Sequence, residues 1–109
     1  MAASPGFEAI EPARTAIDAL AGPTVVEFGS PTCGHCRAAR PLIASALEAH
    51  PKVRHIKVED GSGRPLGRSF KVKLWPTLVF LNGGKEIARL VRPREEELIG
   101  AALAQIDPV

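Results

Sequence analysis

The chain has 109 residues, a formal net charge of +2 and two cysteines. That length corresponds to one domain, which buries enough apolar surface to fold without disulfide cross-links. The small net charge and the few aromatic residues (four Phe, one Trp, no Tyr) argue against a nucleic-acid partner, and no stretch approaches the roughly 18 apolar residues of a membrane span.

The amino-terminal region carries the weakest pattern. We expect residues 1–6 to form a disordered tail and residues 7–109 to form a single domain. Acidic residues interrupt the apolar positions near the start, and no basic segment precedes them, so the pattern does not match a secretory signal peptide. We therefore expect a cytoplasmic protein, or a periplasmic one if a leader has been removed.

From residue 11 onward, helical and extended patterns alternate. In chain order we predict a helix that opens at Glu11-Pro12 and ends at Gly22-Pro23, a strand over 24–28, a helix after the cysteines that ends at His50-Pro51, a strand over 53–58, a short helix over 64–70, strands over 77–81 and 85–91, and a last helix over 94–106. A helical crossover makes the first two strands parallel, whereas the Asn82-Gly83-Gly84 turn makes the last two an antiparallel hairpin.

Apolar spacing identifies the residues that we expect in the core. They are Ile17, Leu20 and Ala21 in the first helix, Ala39, Leu42, Ile43, Ala46 and Leu47 in the second, Ile87 in the last strand, and Leu98, Ile99, Ala102, Leu103 and Ile106 in the last helix. Pro41 is expected to kink the second helix, because proline removes a backbone hydrogen bond.

The two cysteines, Cys33 and Cys36, lie between a predicted strand and a predicted helix. The turn at such a junction allows a disulfide between them and puts Cys33 at or near a helix N-terminus, with Thr32 as the expected N-cap. The unpaired amides and the dipole there favour a thiolate, so the motif predicts thiol–disulfide redox chemistry. A structural metal-binding site is an alternative, but zinc prefers four protein ligands, and this segment offers only two Cys and His35.

Three motifs in order make the chain resemble the thioredoxin family over roughly residues 24–106. They are Val25-Val26-Glu27-Phe28 followed by Cys33-Gly34-His35-Cys36 and Pro41, then Trp75-Pro76-Thr77 before Leu78-Val79-Phe80-Leu81, and last the Asn82-Gly83-Gly84 hairpin. A Cys-x-x-Cys motif alone is a weak signal, but its combination with the other two is strong. The resemblance implies an α/β, thioredoxin-like fold with a central mixed sheet of four to five strands, flanked by helices on both faces.

The resemblance also implies catalytic roles. Cys33 is the expected nucleophile, and Cys36 is expected to resolve the mixed disulfide by attacking Cys33. Glu27 stands where the family commonly has a buried Asp, which resembles a proton acceptor for the resolving cysteine. Lys57 stands at the position of the family's partner lysine on the neighbouring strand, and Pro76 matches a cis proline that faces the disulfide.

Some positions of the motif depart from the commonest family pattern. Gly34 and His35 give the Cys-Gly-His-Cys motif of protein disulfide isomerases, and an imidazolium at His35 would make the pair a better oxidant. Gly29 and Thr32 stand where the family often has Trp.

The expected substrate-binding residues are Trp75, Pro76, Thr77 and Arg92. Trp75 stands where the family usually has Ile, Val or Thr, and its backbone is expected to pair with a bound substrate strand. Arg92 stands where thioredoxins usually have Gly, and it contributes to a basic site face that favours acidic partners.

Together these residues predict a thioredoxin-type reductase of protein disulfides that uses no cofactor beyond its Cys33–Cys36 disulfide. The expected partners are disulfide-containing protein substrates and a reductase as electron donor, with no nucleic acid and no membrane, and we expect a monomer. Two alternatives stay open. One is a disulfide oxidase or isomerase of an oxidising compartment, which Gly34 and His35 favour; the other is a non-catalytic binding module with the same fold.

Overall fold

The computed structural model describes residues 6–7 and 10–108. Of the tail predicted over residues 1–6, only Gly6 is among them, and it is exposed. The remainder of that predicted tail lies outside the described residues.

Four strands form one mixed sheet with the order β2-β1-β3-β4. The elements along the chain are α1 (Arg14–Asp18), β1 (Pro23–Gly29), α2 (Gly34–Glu48), β2 (Arg54–Glu59), α3 (Pro65–Ser69), β3 (Thr77–Asn82), β4 (Lys85–Val91) and α4 (Glu96–Ile106). β1 pairs with β2 in parallel, and β3 pairs antiparallel with both β1 and β4. This confirms the predicted order of elements and the predicted mixed sheet, at four strands.

The sheet separates two apolar layers, and β1 contributes to both. Val25 packs with residues of α2 and α4, whereas Val26 and Phe28 pack with residues of α1 and α3 on the other face. Because successive side chains of a strand point to opposite faces, Glu27 lies on the same face as Val25, under α2. The strand therefore places a carboxylate beneath the helix that begins at the cysteines.

The longest helix, α2, runs through Pro41 as one element of 15 residues, and Pro41 itself is exposed. The exposed position suits a proline, because the carbonyl that loses its partner is open to water. Across residues 6–7 and 10–108, none of the helices is long and apolar enough to cross a membrane.

Ile87 and Leu98, which were expected in the core, lie at the surface. Ile87 is 44% exposed, because a register shift pairs Phe80 with Ala88 and Leu81 with Glu86 and leaves Ile87 between them. Leu98 is 47% exposed, since the buried stripe of α4 begins one residue later, at Ile99.

The first helix is also shorter than predicted. It begins at Arg14 rather than at Glu11-Pro12, and the predicted core residue Ala21 is exposed after its end. The Glu11 carboxylate is used elsewhere: its Oε1 accepts the backbone N–H of Leu66 at 2.9 Å, in the first turn of α3. The Glu11 carboxylate thereby satisfies an amide at the start of α3 that has no partner within the helix, and its charge complements the helix dipole. This contact holds the segment before α1 against α3.

The β3–β4 hairpin contacts α1 through a glycine. Gly83 and Gly84 both have positive φ, +61° and +79°. A Cβ on Gly84 would lie 2.6 Å from the backbone carbonyl carbon of Asp18, whereas a Cβ on Gly83 would meet no described atom within 4 Å. Position 84 therefore requires glycine both for its positive φ and for its close contact with Asp18, whereas position 83 requires glycine for its positive φ alone.

We expect Gly84→Ala to lower the free energy of unfolding more than Gly83→Ala does. The shared left-handed conformation costs about 1 kcal/mol in either variant. The steric conflict with Asp18 adds roughly 1–3 kcal/mol at position 84 alone. Urea unfolding of both variants measures the difference, and equal losses of stability would contradict the contact with α1.

Candidate active site

Cys33 is the N-cap of α2. Its backbone is extended, and its Sγ accepts the backbone N–H of Cys36 at 3.2 Å. The expectation that Thr32 caps the helix is wrong; the Thr32 hydroxyl instead lies 3.0 Å from that of Ser30. A partly exposed sulfur that accepts an amide at a helix N-terminus is in a setting that stabilises a thiolate.

Cys36 lies one turn further along and is buried against β1. A Cβ on Gly29 would stand 2.6 Å from the Cys36 Sγ and 3.1 Å from the ring of Phe7. Position 29 therefore accommodates only glycine beside this cysteine, and Phe7 covers the space that a larger side chain would occupy. The sequence analysis missed Phe7, because nothing in the pattern around it indicates a contact with the motif.

Burial raises the pKa of Cys36 to about 12, and the hydrogen bond with Cys33 and the charges of Cys33 and Glu27 act in the same direction. A hydrogen bond from the backbone of Ser30 opposes them. Cys36 is therefore a thiol throughout the neutral pH range, and it needs a proton acceptor nearby to become a nucleophile.

Glu27 is a buried carboxylate on the β1 face under α2, with a side chain 2% exposed. Its Oε1 lies 2.8 Å from the Nε2 of His55. Lys57, which pairs with Glu27 in the β1–β2 register, instead places its Nζ 4.4 Å from the centre of the Phe7 ring. Among the described residues, the hydrogen-bond partner of Glu27 is therefore His55, and not the expected Lys57.

The sequence analysis missed His55, although a signal for it was present. His55 and Lys57 are two positions apart in the same strand, so they share a face. The parallel pairing with β1 puts that face beside Val25 and Glu27.

The turn before β3 contains the cis peptide bond between Trp75 and Pro76 that was predicted. The indole Nε1 of Trp75 donates to Oδ2 of Asp60 at 3.0 Å, and the Thr77 hydroxyl donates to the Leu74 carbonyl at 2.6 Å. Thr77 is buried, and its expected role in substrate binding stays a prediction. Its hydroxyl holds the turn in place.

Asp60 connects this turn to the rest of the site, and no sequence pattern indicated this role. Its side chain is buried, its Oδ2 also accepts from Nη2 of Arg68 at 2.8 Å, and its backbone N–H donates to the carbonyl of Gly29. Its Oδ1 has no hydrogen-bond partner in the described part of the chain. Asp60 thus connects the end of β1 through its backbone N–H with Arg68 of α3 and the indole of Trp75 through its carboxylate.

Arg92 holds the same turn from the other side. Its backbone N–H donates to the Pro76 carbonyl at 2.9 Å, and its Nε donates to the Trp75 carbonyl at 2.8 Å. The φ of Arg92 is +50°, a conformation that L residues seldom adopt. The guanidinium therefore already occupies the backbone acceptor that was expected to pair with a substrate.

His35 and Arg92 line one groove beside Cys33. The side chain of His35 is exposed on the first turn of α2, and the groove continues along Leu42, Pro93 and Arg94. Gly34 is exposed between the cysteines, and a Cβ there would meet no described atom within 4 Å. Over residues 6–7 and 10–108, no group of three or more His, Cys, Asp or Glu side chains is placed to hold a metal ion.

The chain matches the model of a known protein family. That family is described as Thioredoxin, and the match covers residues 12–105. The chain is also similar in structure to the reduced form of thioredoxin 2 from Pseudomonas aeruginosa PAO1. The two are 55% identical, with a TM-score of 0.83, over 92% of this chain and 93% of the other.

Curated relatives are similar over shorter stretches. Thioredoxin H-type 1 from Nicotiana tabacum is 35% identical over 68% of this chain and 59% of its own length. Protein disulfide-isomerase erp38 from Neurospora crassa is 46% identical over 59% of this chain. The match spans only 18% of the isomerase, so the similarity there is to one part of a longer protein.

The buried environment of Cys36 predicts its alkylation behaviour. In a Cys33→Ser variant, burial still raises the pKa of Cys36, so its reaction with iodoacetamide should speed up about tenfold per pH unit without a plateau up to about pH 10. Cys33 in a Cys36→Ser variant is the matched control and should react faster near neutral pH. A plateau for Cys36 below about pH 9, as for an ordinary thiol, would contradict this prediction.

Proposed function

This chain belongs to the thioredoxin family, and we propose that it is a thioredoxin-type reductase of protein disulfides. One observation carries the proposal: a partly exposed Cys33 sulfur accepts an amide at the N-terminus of α2, with a second, buried cysteine one turn behind it. Members of this family work through such a pair without a bound cofactor. The similarity to thioredoxins over most of the chain supports the reductase type.

In the proposed reaction, the Cys33 thiolate attacks one sulfur of a substrate disulfide. A bond forms between the Cys33 and substrate sulfurs, the substrate S–S bond breaks, and its electron pair leaves on the other substrate sulfur, which takes up a proton. The position of Cys33 at a helix N-terminus supports this role, because the exposed amides stabilise the attacking thiolate.

The second step uses Cys36. Its thiol proton passes to the Glu27 carboxylate, its sulfur bonds to Cys33, and the Cys33–substrate bond breaks, with the electron pair leaving on the substrate sulfur, which takes up a proton from solvent. The protein is oxidised to the Cys33–Cys36 disulfide, and the substrate is reduced to two thiols. The raised pKa of Cys36 supports a role for a neighbouring base.

Substrates are proposed to bind along the turn at Trp75 and the groove between His35 and Arg92. We propose that a substrate strand that pairs with the Trp75 carbonyl displaces the Arg92 Nε, which donates to it in the free protein. Arg92 then becomes available to contact the substrate, and an acidic side chain there would pair with it. We propose disulfide-containing proteins with acidic residues near the cysteines as preferred substrates.

We further propose that a reductase re-reduces the disulfide and that the protein acts in the cytoplasm. In that compartment the surroundings favour reduction, whereas an imidazolium at His35 favours oxidation. The isomerase relatives support the second candidate, an oxidase or isomerase of an oxidising compartment, because their names record disulfide isomerisation.

The proposed function predicts that the wild-type protein accelerates the reduction of insulin by dithiothreitol and that Cys33→Ser abolishes the acceleration. Failure of the wild type would favour the binding module. The reduction potential separates the remaining candidates: about −270 mV is typical of a thioredoxin and about −180 mV of a disulfide isomerase. A value near the second would overturn the reductase assignment.

The position of Arg92 predicts a substrate preference. With matched disulfide peptides, we expect the wild type to have a lower KM for an acidic peptide than for a basic one. Arg92→Gly should reduce this preference by roughly two- to fivefold, the effect of an exposed ion pair worth about 0.5–1 kcal/mol. Lys52→Gly removes the same charge beyond the far end of α2 and should leave the preference unchanged. An equal effect of both variants would contradict a specific role for Arg92.

A further inference from the structure

Glu27 and His55 form a buried pair that the family resemblance did not indicate. Their side chains are 2% and 8% exposed, and Oε1 and Nε2 are 2.8 Å apart. Resting on the proposed function, we infer that His55 is a positioning residue for the second step, which holds the Glu27 carboxylate as proton acceptor for Cys36 and passes that proton toward the edge of the sheet.

The register of the sheet explains how these two side chains meet. His55 pairs with Val25, and Lys57 pairs with Glu27, so His55 lies diagonally across from Glu27 on the same face. Diagonal neighbours on adjacent strands are further apart than direct ones, and only longer side chains reach each other. The extra methylene of glutamate, relative to the family's usual aspartate, gives Glu27 this reach.

Of the titratable groups around Glu27, His55 is the one that is hydrogen-bonded to it in the described residues. The register places His55, Lys57 and Glu59 of β2 on the face of Glu27, and Cys36 approaches from α2. β3 contributes the apolar Leu78 opposite Glu27, and the buried residues of α4 are apolar. Lys57 directs its Nζ to the ring of Phe7, which is a favourable position for a cation.

A buried carboxylate is costly unless it accepts hydrogen bonds from a charged or polar partner. While Glu27 is ionised, the N–H at Nε2 of His55 donates to Oε1. When Glu27 takes the proton of Cys36 on its other oxygen, Oε1 still accepts the N–H at Nε2, so the contact is kept. An imidazolium at His55 can then release the proton of its other ring nitrogen, so that one proton leaves the pair for each proton that Cys36 gives up.

The position of His55 in β2 gives that proton an exit. β2 is an edge strand, and the His55 side chain is more exposed than that of Glu27. Glu27 lies on the inner strand β1 and is closed off by α2 above it and by β2 and β3 on either side.

The test follows single-turnover oxidation of the reduced protein by a disulfide peptide, with Trp75, the one tryptophan, as the fluorescent reporter. At high peptide concentration the first step outruns the second, and the plateau rate reports the attack by Cys36. We expect His55→Leu to lower this plateau about tenfold near neutral pH and to leave the concentration-dependent first step unchanged. The loss is smaller than the roughly 10²–10⁴-fold of a general acid or base, because Glu27 itself stays in place.

Two further variants separate positioning from a structural effect. His55→Gln keeps an N–H donor that does not titrate, so it should recover most of the plateau rate. It should also lose the inflection that an ionising imidazole gives to the wild-type pH profile, because a glutamine amide does not ionise. His50→Gln is the matched control, because His50 pairs with Asp107 at the other end of α2, and it should behave like the wild type.

If His55→Leu does not fold, His55→Gln against the wild type decides the question: a lost inflection supports the inference, and an unchanged profile overturns it.

The outcomes distinguish the inference from the function on which it rests. A wild type that does not reduce the peptide overturns the proposed function, and the inference falls with it. A wild type that reduces the peptide, with an unchanged plateau and pH profile in the His55 variants, overturns the inference alone. A loss shared with His50→Gln, or spread equally over both steps, also overturns it, because it would show a structural effect.

Discussion

The burial of the Cys36 sulfur against β1 is the constraint on which the rest of the site depends. It raises the pKa of the thiol to about 12, so the sulfur cannot attack at neutral pH without losing its proton to a neighbour. It also restricts position 29 to glycine, since a Cβ there would stand 2.6 Å from the sulfur. The Glu27 carboxylate on β1 acts electrostatically on this buried sulfur, and the Phe7 ring lies beside the glycine that makes room for it.

A second set of contacts fixes the turn at Trp75 and Pro76. Asp60 binds the Trp75 indole and Arg68, and its backbone amide bonds to Gly29 at the end of β1. Arg92 donates to the carbonyl groups on both sides of the cis bond. The turn is thereby connected to the strand that ends at the dithiol motif, so the two halves of the site keep their spacing through hydrogen bonds rather than through sequence proximity.

Sequence reasoning predicted the order of elements, the mixed sheet and the cis bond at Pro76, because these follow from local patterns and from motifs at fixed spacing. Ile87 and Leu98 were predicted to be buried but are exposed. Apolar periodicity does not indicate where a strand contains a bulge, or which residues lie at the margin of a helix's buried face. Sequence reasoning also missed His55, Asp60 and Phe7. Their contacts join residues far apart in the chain, and they depend on register and depth, which no single segment encodes.

The bulge at Ile87 has a consequence for the outer edge of the sheet. β4 is an edge strand, and it carries the exposed apolar side chains Ile87 and Val91. A flat strand of this kind would offer a continuous row of unpaired backbone groups to the sheet of another molecule. The extra residue bends and twists the strand where Ile87 protrudes, so that a foreign strand could not stay in register along its whole length. The β-bulge that exposes Ile87 thus disfavours edge-to-edge aggregation through β4.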